Sequence, residues 1–182
     1  TWRAARRMSA LPNAIPALPT SGGFLLVLAL MLPLVGVLLA LVLGGRNARR
    51  VVFLTLPLGL ALAVAIAVEA MQTGHQLVYL LGGWAPPLGV ALRADGLSVV
   101  MLLTTAAIIL AVAIYARDDF STPAGASEVR APLLFWTLLL AVWGSLNVIF
   151  LAGDLFTLYV ALELLTFAGV PLVSLDGRPE TL

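Results

Sequence analysis

Five long apolar stretches divide the chain, and they limit its fold more strongly than any other feature. A helix needs about 20 apolar residues to cross the roughly 30 Å hydrocarbon core of a bilayer, and each stretch meets that length. The stretches cover about residues 24–43, 51–71, 97–116, 132–152 and 155–175, and Glu69 and Glu163 are the only charged residues within them. We therefore predict an all-α fold, a polytopic helical membrane bundle with five transmembrane helices.

Composition excludes several other classes of protein. The chain is 62% hydrophobic and 10% charged, whereas soluble domains are about 45–50% apolar and about 25% charged. Cysteine is absent and His75 is the single histidine, which excludes disulfides, iron–sulfur clusters and the usual zinc sites within this chain. We expect no cofactor and no bound metal in this chain. Because the net charge is only +1, we expect no nucleic-acid partner.

The connections between the spans differ in kind. Gly44–Arg50 and Ala152–Asp154 are short enough for tight turns, so the spans on either side of each should be antiparallel neighbours. The connection 73–96 contains two short apolar runs, Leu77–Leu81 and Leu88–Leu92, separated by two glycines and two prolines that exclude a spanning helix. We predict an extended hairpin between the second and third helices, lying over the outer face with Trp84 at the membrane interface.

Arginine predicts the orientation, since the chain contains no lysine. The first and third connections and the C-terminal tail carry Arg46, Arg49, Arg50, Arg117, Arg130 and Arg178, so they should be cytoplasmic and the N-terminus should be outside. The tail, residues 1–22, carries Arg3, Arg6 and Arg7 and opposes this assignment. Either translation starts at Met8 and residues 1–7 are an upstream extension, or the topology is inverted; we favour the first explanation.

Glu163 is the strongest candidate for a functional residue. We expect Asp154 to cap the start of the fifth helix. Nine residues further on, Glu163 then lies about 13–14 Å deeper, at about 1.5 Å per residue, close to the middle of the bilayer. A carboxyl group at that depth is either protonated or faces a partner or water. We interpret Glu163 as a proton-transfer residue; the alternative is a protonated acid that hydrogen-bonds to a neighbouring helix.

Other polar residues are weaker candidates. Glu69 ends the second span beside Gln72, where a solvated helix end is the better interpretation than proton uptake. Asp154 is also a weak candidate for proton transfer. Asn147 and Ser145 should hydrogen-bond across helices rather than bind an ion, and His75 should be a solvated loop residue. Pro33 and Pro57 should kink their spans and free carbonyl groups that neighbouring helices must satisfy.

Several segments resemble antiporter-like membrane subunits, the family of proton-pumping subunits of respiratory complex I, of membrane-bound hydrogenases and of Mrp-type cation/proton antiporters. Residues 82–89 (GGWAPPLG) and 93–98 (RADGLS) are similar to the outer-face hairpin and third-helix start of this family. Residues 154–165 (DLFTLYVALELL) resemble its fifth helix with the key glutamate, and residues 177–180 (GRPE) resemble the loop toward its sixth helix. The resemblance covers about residues 23–182.

The resemblance implies a function and a missing half. In this family the fifth-helix glutamate pairs with a lysine on a later, broken helix, so Glu163 would be that glutamate. The family plan has about fourteen helices, as the resemblance implies, whereas residues 23–176 here supply five and residues 177–182 would begin the loop to a sixth. The chain is then either the N-terminal portion of a longer subunit or a short protein whose partner chain completes the site.

The resemblance leaves three functions open. The first is the N-terminal part of a proton-translocating subunit in an NADH-quinone oxidoreductase-type or hydrogenase-type complex, a non-redox subunit in a bacterial-type inner membrane. The second is a sodium/proton antiporter subunit of the Mrp type. The third is a structural subunit that transports nothing. The expected partners are other membrane subunits, the lipid bilayer, and protons or sodium ions.

Overall fold

The structure, a computed structural model, describes residues 20, 22–84, 89–117, 120 and 130–175. These residues form five long helices and one short hairpin. The helices are α1 (Phe24–Leu43), α2 (Gly45–Thr73), α3 (Gly96–Tyr115), α4 (Arg130–Leu151) and α5 (Leu155–Ser174). All five are long and apolar enough to cross a membrane. The chain is thus a multi-pass membrane protein, and the predicted all-α helical bundle is confirmed.

The hairpin lies between α2 and α3, as predicted. Its strands, β1 (Leu77–Leu80) and β2 (Ala91–Ala94), are antiparallel, with Leu77 opposite Ala94 and Leu80 opposite Ala91. The second strand therefore begins three residues later than the apolar run at 88–92 indicated. Trp84, at the end of the turn after β1, is 63% exposed, and its position at the membrane interface stays a prediction.

The hairpin closes one end of the bundle, which we call the cap end. Thr20 extends the hairpin beside β1, because its N–H donates to the Val78 carbonyl and its hydroxyl accepts from the Val78 N–H. On the other edge, the α4–α5 connection pairs with β2, where the Gly153 N–H donates to the Ala91 carbonyl at 2.9 Å. A Cβ at Gly153 would lie 2.7 Å from that carbonyl oxygen, so the close approach requires glycine.

The helices alternate in direction, and α4 lies at the centre. Helix α4 packs on α1, α2, α3 and α5, whereas α5 packs chiefly on α4. The apolar core forms two clusters along the bundle, one near the cap end around Leu26, Ile66 and Leu92, the other toward the opposite end around Trp136 and Leu140. The predicted antiparallel pairs, α1 with α2 and α4 with α5, are confirmed.

The turn before α2 is shorter than predicted. Helix α2 begins at Gly45, so Arg46, Arg49 and Arg50 belong to its first turns rather than to a turn of their own. Gly44 alone makes the reversal, with φ of 59°, a value that favours glycine. Arginine is a good helix former, and a helix that continues past the apolar span can place the side chains of Arg49 and Arg50 in water.

The arginines of the described residues follow the predicted asymmetry. Arg49 and Arg50 lie at the start of α2 and Arg117 follows α3, all at the end opposite the cap. At the cap end the described residues contain Arg93, which approaches Asp95 to 3.9 Å. Residues 1–19, Arg178 and the segment 177–182 lie outside the described residues, as do Pro86 and Pro87 of the predicted turn.

Candidate functional site

Helix α5 begins at the cap that the sequence predicted. The Asp154 carboxylate accepts hydrogen bonds from the Thr157 N–H at 2.8 Å and from the Thr157 hydroxyl at 2.7 Å. Partial burial raises the pKa of this carboxyl, but the bonds from Thr157 outweigh burial and hold its pKa below the ordinary value of 3.8. Asp154 is therefore the charged N-cap residue of α5, and its hydrogen bonds to Thr157 are those of a structural helix cap.

The inner face of α5 is lined by small residues. Thr157, Ala161 and Ala168 are buried, and they recur at the spacing of one helix face. Small side chains let two helices approach closely, and α4 is the main neighbour of α5. The position of this inner face also determines where Glu163 lies.

Glu163 lies on the opposite, outer face of α5. It follows Ala161 by two residues, which turns its side chain about 200° away from Ala161 at 3.6 residues per turn. The residue is exposed in the structure, and the described residues offer it no ion pair. In the alternative interpretation, Glu163 is a protonated acid that hydrogen-bonds to a neighbouring helix. None of the five helices that the structure describes covers this side chain.

The surroundings of Glu163 form a single exposed strip along α5. Tyr159, one turn earlier, places its side chain beside the Glu163 carboxyl group. The apolar neighbours on this strip are large and exposed, as Phe156, Phe167 and Val170 show. We call this surface, from Phe156 to Val170, the outer strip. It presents one carboxyl group, one phenol and the hydroxyl of Thr166 near the middle of the helix, among large apolar side chains.

The neighbour Tyr159 is not singled out by the sequence analysis. A signal existed, since residues four apart share a helix face and the sequence places a tyrosine four residues before Glu163.

Asn147 and Ala29 show how the bundle satisfies a proline. Pro33 has no N–H, so the carbonyl of Ala29, four residues earlier in α1, loses its helical partner. The side-chain Nδ2 of Asn147 donates to that carbonyl at 3.0 Å, and Asn147 is only 3% exposed. The predicted interhelical hydrogen bond is confirmed. A Cβ at Gly144 would lie 3.3 Å from the Pro33 ring, so glycine leaves room for the proline at the same contact.

Ser145 corrects a second part of that prediction. Its hydroxyl donates to the carbonyl of Ala141, four residues earlier in α4, and not to another helix. The reason is local, because a serine within a helix can always reach the carbonyl one turn before it.

The remaining candidates lie far from Glu163, at the cap end. Glu69 is half-buried near the end of α2 and packs against the backbone of Gly22, just before α1. His75 is exposed in the loop before β1. The structure thus brings neither of them to Glu163. Within the described residues there is no group of three or more side chains suited to hold a metal ion.

Taken together, fold and site define a class: a multi-pass helical membrane protein with a carboxyl group at mid-depth on an uncovered helix face. Among curated proteins, a Na(+)/H(+) antiporter subunit of Bacillus subtilis is 31% identical over 152 residues, which cover 83% of this chain and 30% of the relative. An NADH-quinone oxidoreductase subunit of Desulforudis audaxviator is 33% identical over 144 residues, or 72% of this chain and 28% of the relative. The chain belongs to the family of antiporter-like membrane subunits that these proteins represent.

A solved structure supports the fold. A chain of the membrane-bound sulfane sulfur reductase, an archaeal respiratory membrane complex, matches with a TM-score of 0.73 at 21% identity. The match covers 86% of this chain and 31% of the other. No protein-family model matches the chain. The chain therefore spans about a third or less of the length of the proteins that it resembles.

Proposed function

We propose that this chain is the N-terminal part of a proton-translocating, antiporter-like subunit of an NADH-quinone oxidoreductase-type or hydrogenase-type membrane complex. The names of its relatives support this class, since they include both an antiporter subunit and a quinone oxidoreductase subunit. We infer a non-redox role for this chain, with other membrane subunits and the lipid bilayer as its partners. Its location is a bacterial-type inner membrane.

One observation carries the proposal: Glu163 lies at mid-depth of α5 on the face that the five helices leave uncovered. A carboxyl group in hydrocarbon is protonated, whereas a nearby positive charge favours the carboxylate. The proton affinity of Glu163 is therefore controlled by whatever packs on the outer strip. A cationic group that approaches and withdraws would load and unload the proton, which is the elementary step of transport.

The charge partner comes from outside these five helices, because the chain has no lysine and its described arginines lie at the helix ends or in β2. The resemblance to antiporter-like subunits implies a lysine on a later helix of the complete subunit. Tyr159 beside the carboxyl group supplies a phenol that can share a hydrogen bond with either protonation state of Glu163.

The test is proton transport by the complete subunit, in its complex, with Glu163→Gln. Glutamine keeps the size and polarity of the side chain but cannot release a proton. We expect transport to fall about tenfold or more, since a positioned proton-transfer group contributes about 10²–10⁴-fold to a rate. Undiminished transport would refute the role of Glu163.

The matched control is Glu69→Gln, at the other carboxyl group within the predicted spans. Because Glu69 lies at a helix end near the cap, where water can replace it, we expect transport to change little. A third substitution, Glu163→Arg, separates transport from assembly. If Glu163→Gln is fully active and Glu163→Arg alone prevents assembly of the complex, the chain has a structural role only.

A second candidate function is a sodium/proton antiporter subunit of the Mrp type, which needs no redox partner. The antiporter relative favours it, because that match extends over 83% of this chain. Sodium dependence of transport distinguishes the two functions. Transport that requires a sodium gradient supports the antiporter, and transport driven by electron transfer in the absence of sodium supports the first proposal.

A further inference from the structure

A small cavity lies within the bundle, away from Glu163. Residues of α1, α2, α3 and α4 line it. The volume within which the centre of a water molecule can lie is about 10 Å³. All but two of the lining side chains are apolar or glycine; the two exceptions are Trp143 and Asn147, both from α4. Asn147 lies four residues from the end of α4, so the cavity lies about 6–12 Å inside the cap end of that helix.

Two polar atoms at this cavity have no partner within the described residues. They are Nε1 of Trp143 and Oδ1 of Asn147, and both are shielded from outside solvent. The side chains are 2% and 3% exposed. A buried polar atom without a hydrogen bond is costly and rare in native proteins, so two of them at one small cavity require a common explanation.

The orientation of the Asn147 amide is determined by its other contact. Nδ2 donates to the Ala29 carbonyl, which can only accept. The amide therefore cannot be turned over, and the free atom at the cavity is an acceptor. The indole N–H of Trp143 is a donor only. The residues that line the cavity thus include one unpartnered donor and one unpartnered acceptor, and residues four apart share one face of α4.

Both side chains are held in place by their neighbours. The Trp143 ring lies so close to Gly59 of α2 that a Cβ there would overlap it. The Asn147 side chain is held by α1 through Ala29. Neither polar atom can turn toward solvent without breaking a contact between helices, so the partner they lack must come to them.

We propose that this cavity binds one water molecule, which accepts a hydrogen bond from Nε1 of Trp143 and donates one to Oδ1 of Asn147. A single water occupies about 10–15 Å³, the volume of one water-sized sphere, and needs at least two polar partners. A space that leaves about 10 Å³ for the water's centre is large enough for that sphere, and Nε1 and Oδ1 supply the two partners. A metal cation does not suit the site, because it needs several oxygen ligands and the lining residues offer one unpartnered oxygen beside an N–H donor. The bound water links Trp143 and Asn147, on successive turns of α4, next to the contact of Asn147 with Ala29 of α1. This proposal does not depend on the role of Glu163.

The first test is a density map of the complete subunit at a resolution that shows ordered water. We expect a water within about 2.7–3.2 Å of both Nε1 of Trp143 and Oδ1 of Asn147. Absence of density there, or a protein acceptor bonded directly to Nε1, would overturn the proposal.

A second test measures the hydrogen bond at Trp143 in solution. Ultraviolet resonance Raman spectra contain an indole band that reports hydrogen bonding at Nε1, and a Trp143→Phe spectrum subtracts the other tryptophans. We expect the Trp143 band of the native protein at its hydrogen-bonded position, and a shift toward the unbonded position in Asn147→Leu.

The matched control for the Raman test is Ser145→Ala on the same helix. That hydroxyl bonds within α4 and does not line the cavity, so the Trp143 band should stay where it is. A native band at the unbonded position would contradict the water site even if a variant failed to fold.

Discussion

Helices α4 and α5 are neighbours in the chain and in space, yet their surroundings differ. In an apolar stretch of 18 residues from each helix, 44% of the stretch is buried in α4, but only 17% is buried in α5. Asn147 of α4 is buried and donates to another helix, whereas Glu163 of α5 is exposed on a face with no described helix against it. The polar residue of α4 is part of the scaffold, and that of α5 is available to a group outside these five helices.

The two helices illustrate two uses of a polar group within a membrane span. An amide can satisfy a carbonyl that a proline has freed, and it then stabilises the bundle without changing its charge. The Glu163 carboxyl group, in contrast, lies on a face that the five described helices leave uncovered, where our proposal places a charge partner. Four sets of substitutions test this contrast, from the largest expected effect to the smallest.

The largest difference should come from two glycines. In Gly59→Ala the new methyl group would overlap the Trp143 ring, and we expect a loss of about 2–3 kcal/mol in the free energy of unfolding from overpacking. In Gly169→Ala, on α5, the methyl group meets no atom within 4 Å, so we expect a gain of about 0.5–1 kcal/mol. Denaturation of the complete subunit in mixed micelles measures both. A loss at Gly169 as large as at Gly59 would show that another helix packs there.

Next in size is the hydrogen bond between α4 and α1. Asn147→Leu leaves the Ala29 carbonyl without a donor, and we expect a loss of about 1–3 kcal/mol. In a Pro33→Ala background residue 33 regains its N–H, so Ala29 has a helical partner and the loss from Asn147→Leu should be smaller. A double-mutant cycle measures this coupling. Equal losses in both backgrounds would show that Asn147 does not act through the freed carbonyl.

A smaller effect is expected at the start of α5. Asp154→Ala removes the helix cap, at a cost of about 1 kcal/mol, while Asp154→Asn retains an acceptor and should cost less. Because the pKa of Asp154 is lowered in the folded protein, its contribution is present above the unfolded pKa, for which 3.8 is the ordinary value, and is lost as the pH falls through the lower, folded pKa. Unfolding of both variants as a function of pH checks this, and an Asp154→Ala cost that grows at acid pH would contradict it.

The smallest effect on stability should come from Glu163 itself. Since its side chain is exposed on α5, Glu163→Gln should change the unfolding free energy by no more than about 0.5 kcal/mol, even where proton transport is lost. Thermal unfolding of the subunit and transport by the same preparation measure the two properties together. A large loss of stability would mean that the Glu163 carboxylate is held in an ion pair with its partner in the resting subunit, and not free to exchange a proton.

Much of the fold could be predicted from the sequence because the relevant forces are local. The hydrocarbon thickness sets the span length, so the five helices follow from hydropathy, and Asp154 is recognisable as a cap from its position before an apolar run. The start of α2 could not be placed as well, because arginines at a helix end suit both a turn and a helix. The prediction for Ser145 was wrong, since the competition between a local and an interhelical carbonyl depends on how the helices pack.

The candidate site divides in the same way. The sequence predicts Glu163 near mid-bilayer, because the distance of a residue from the start of its helix follows from counting residues at a constant rise. That Pro33 frees a carbonyl also follows from the sequence, but the identity of its donor does not. Asn147 meets Ala29 only because α1 and α4 are neighbours, and the two residues are 118 apart in the chain.

The sequence by itself determined the class of protein, the number and length of the spans, the hairpin and the position of Glu163 along its helix, because each depends on hydropathy and helix geometry within a short segment. The tertiary structure decided which face of α5 is covered, which donor reaches Ala29 and where Trp143 and Asn147 enclose a cavity. These depend on the rotation and separation of helices about each other, and such packing is set by all the helices at once.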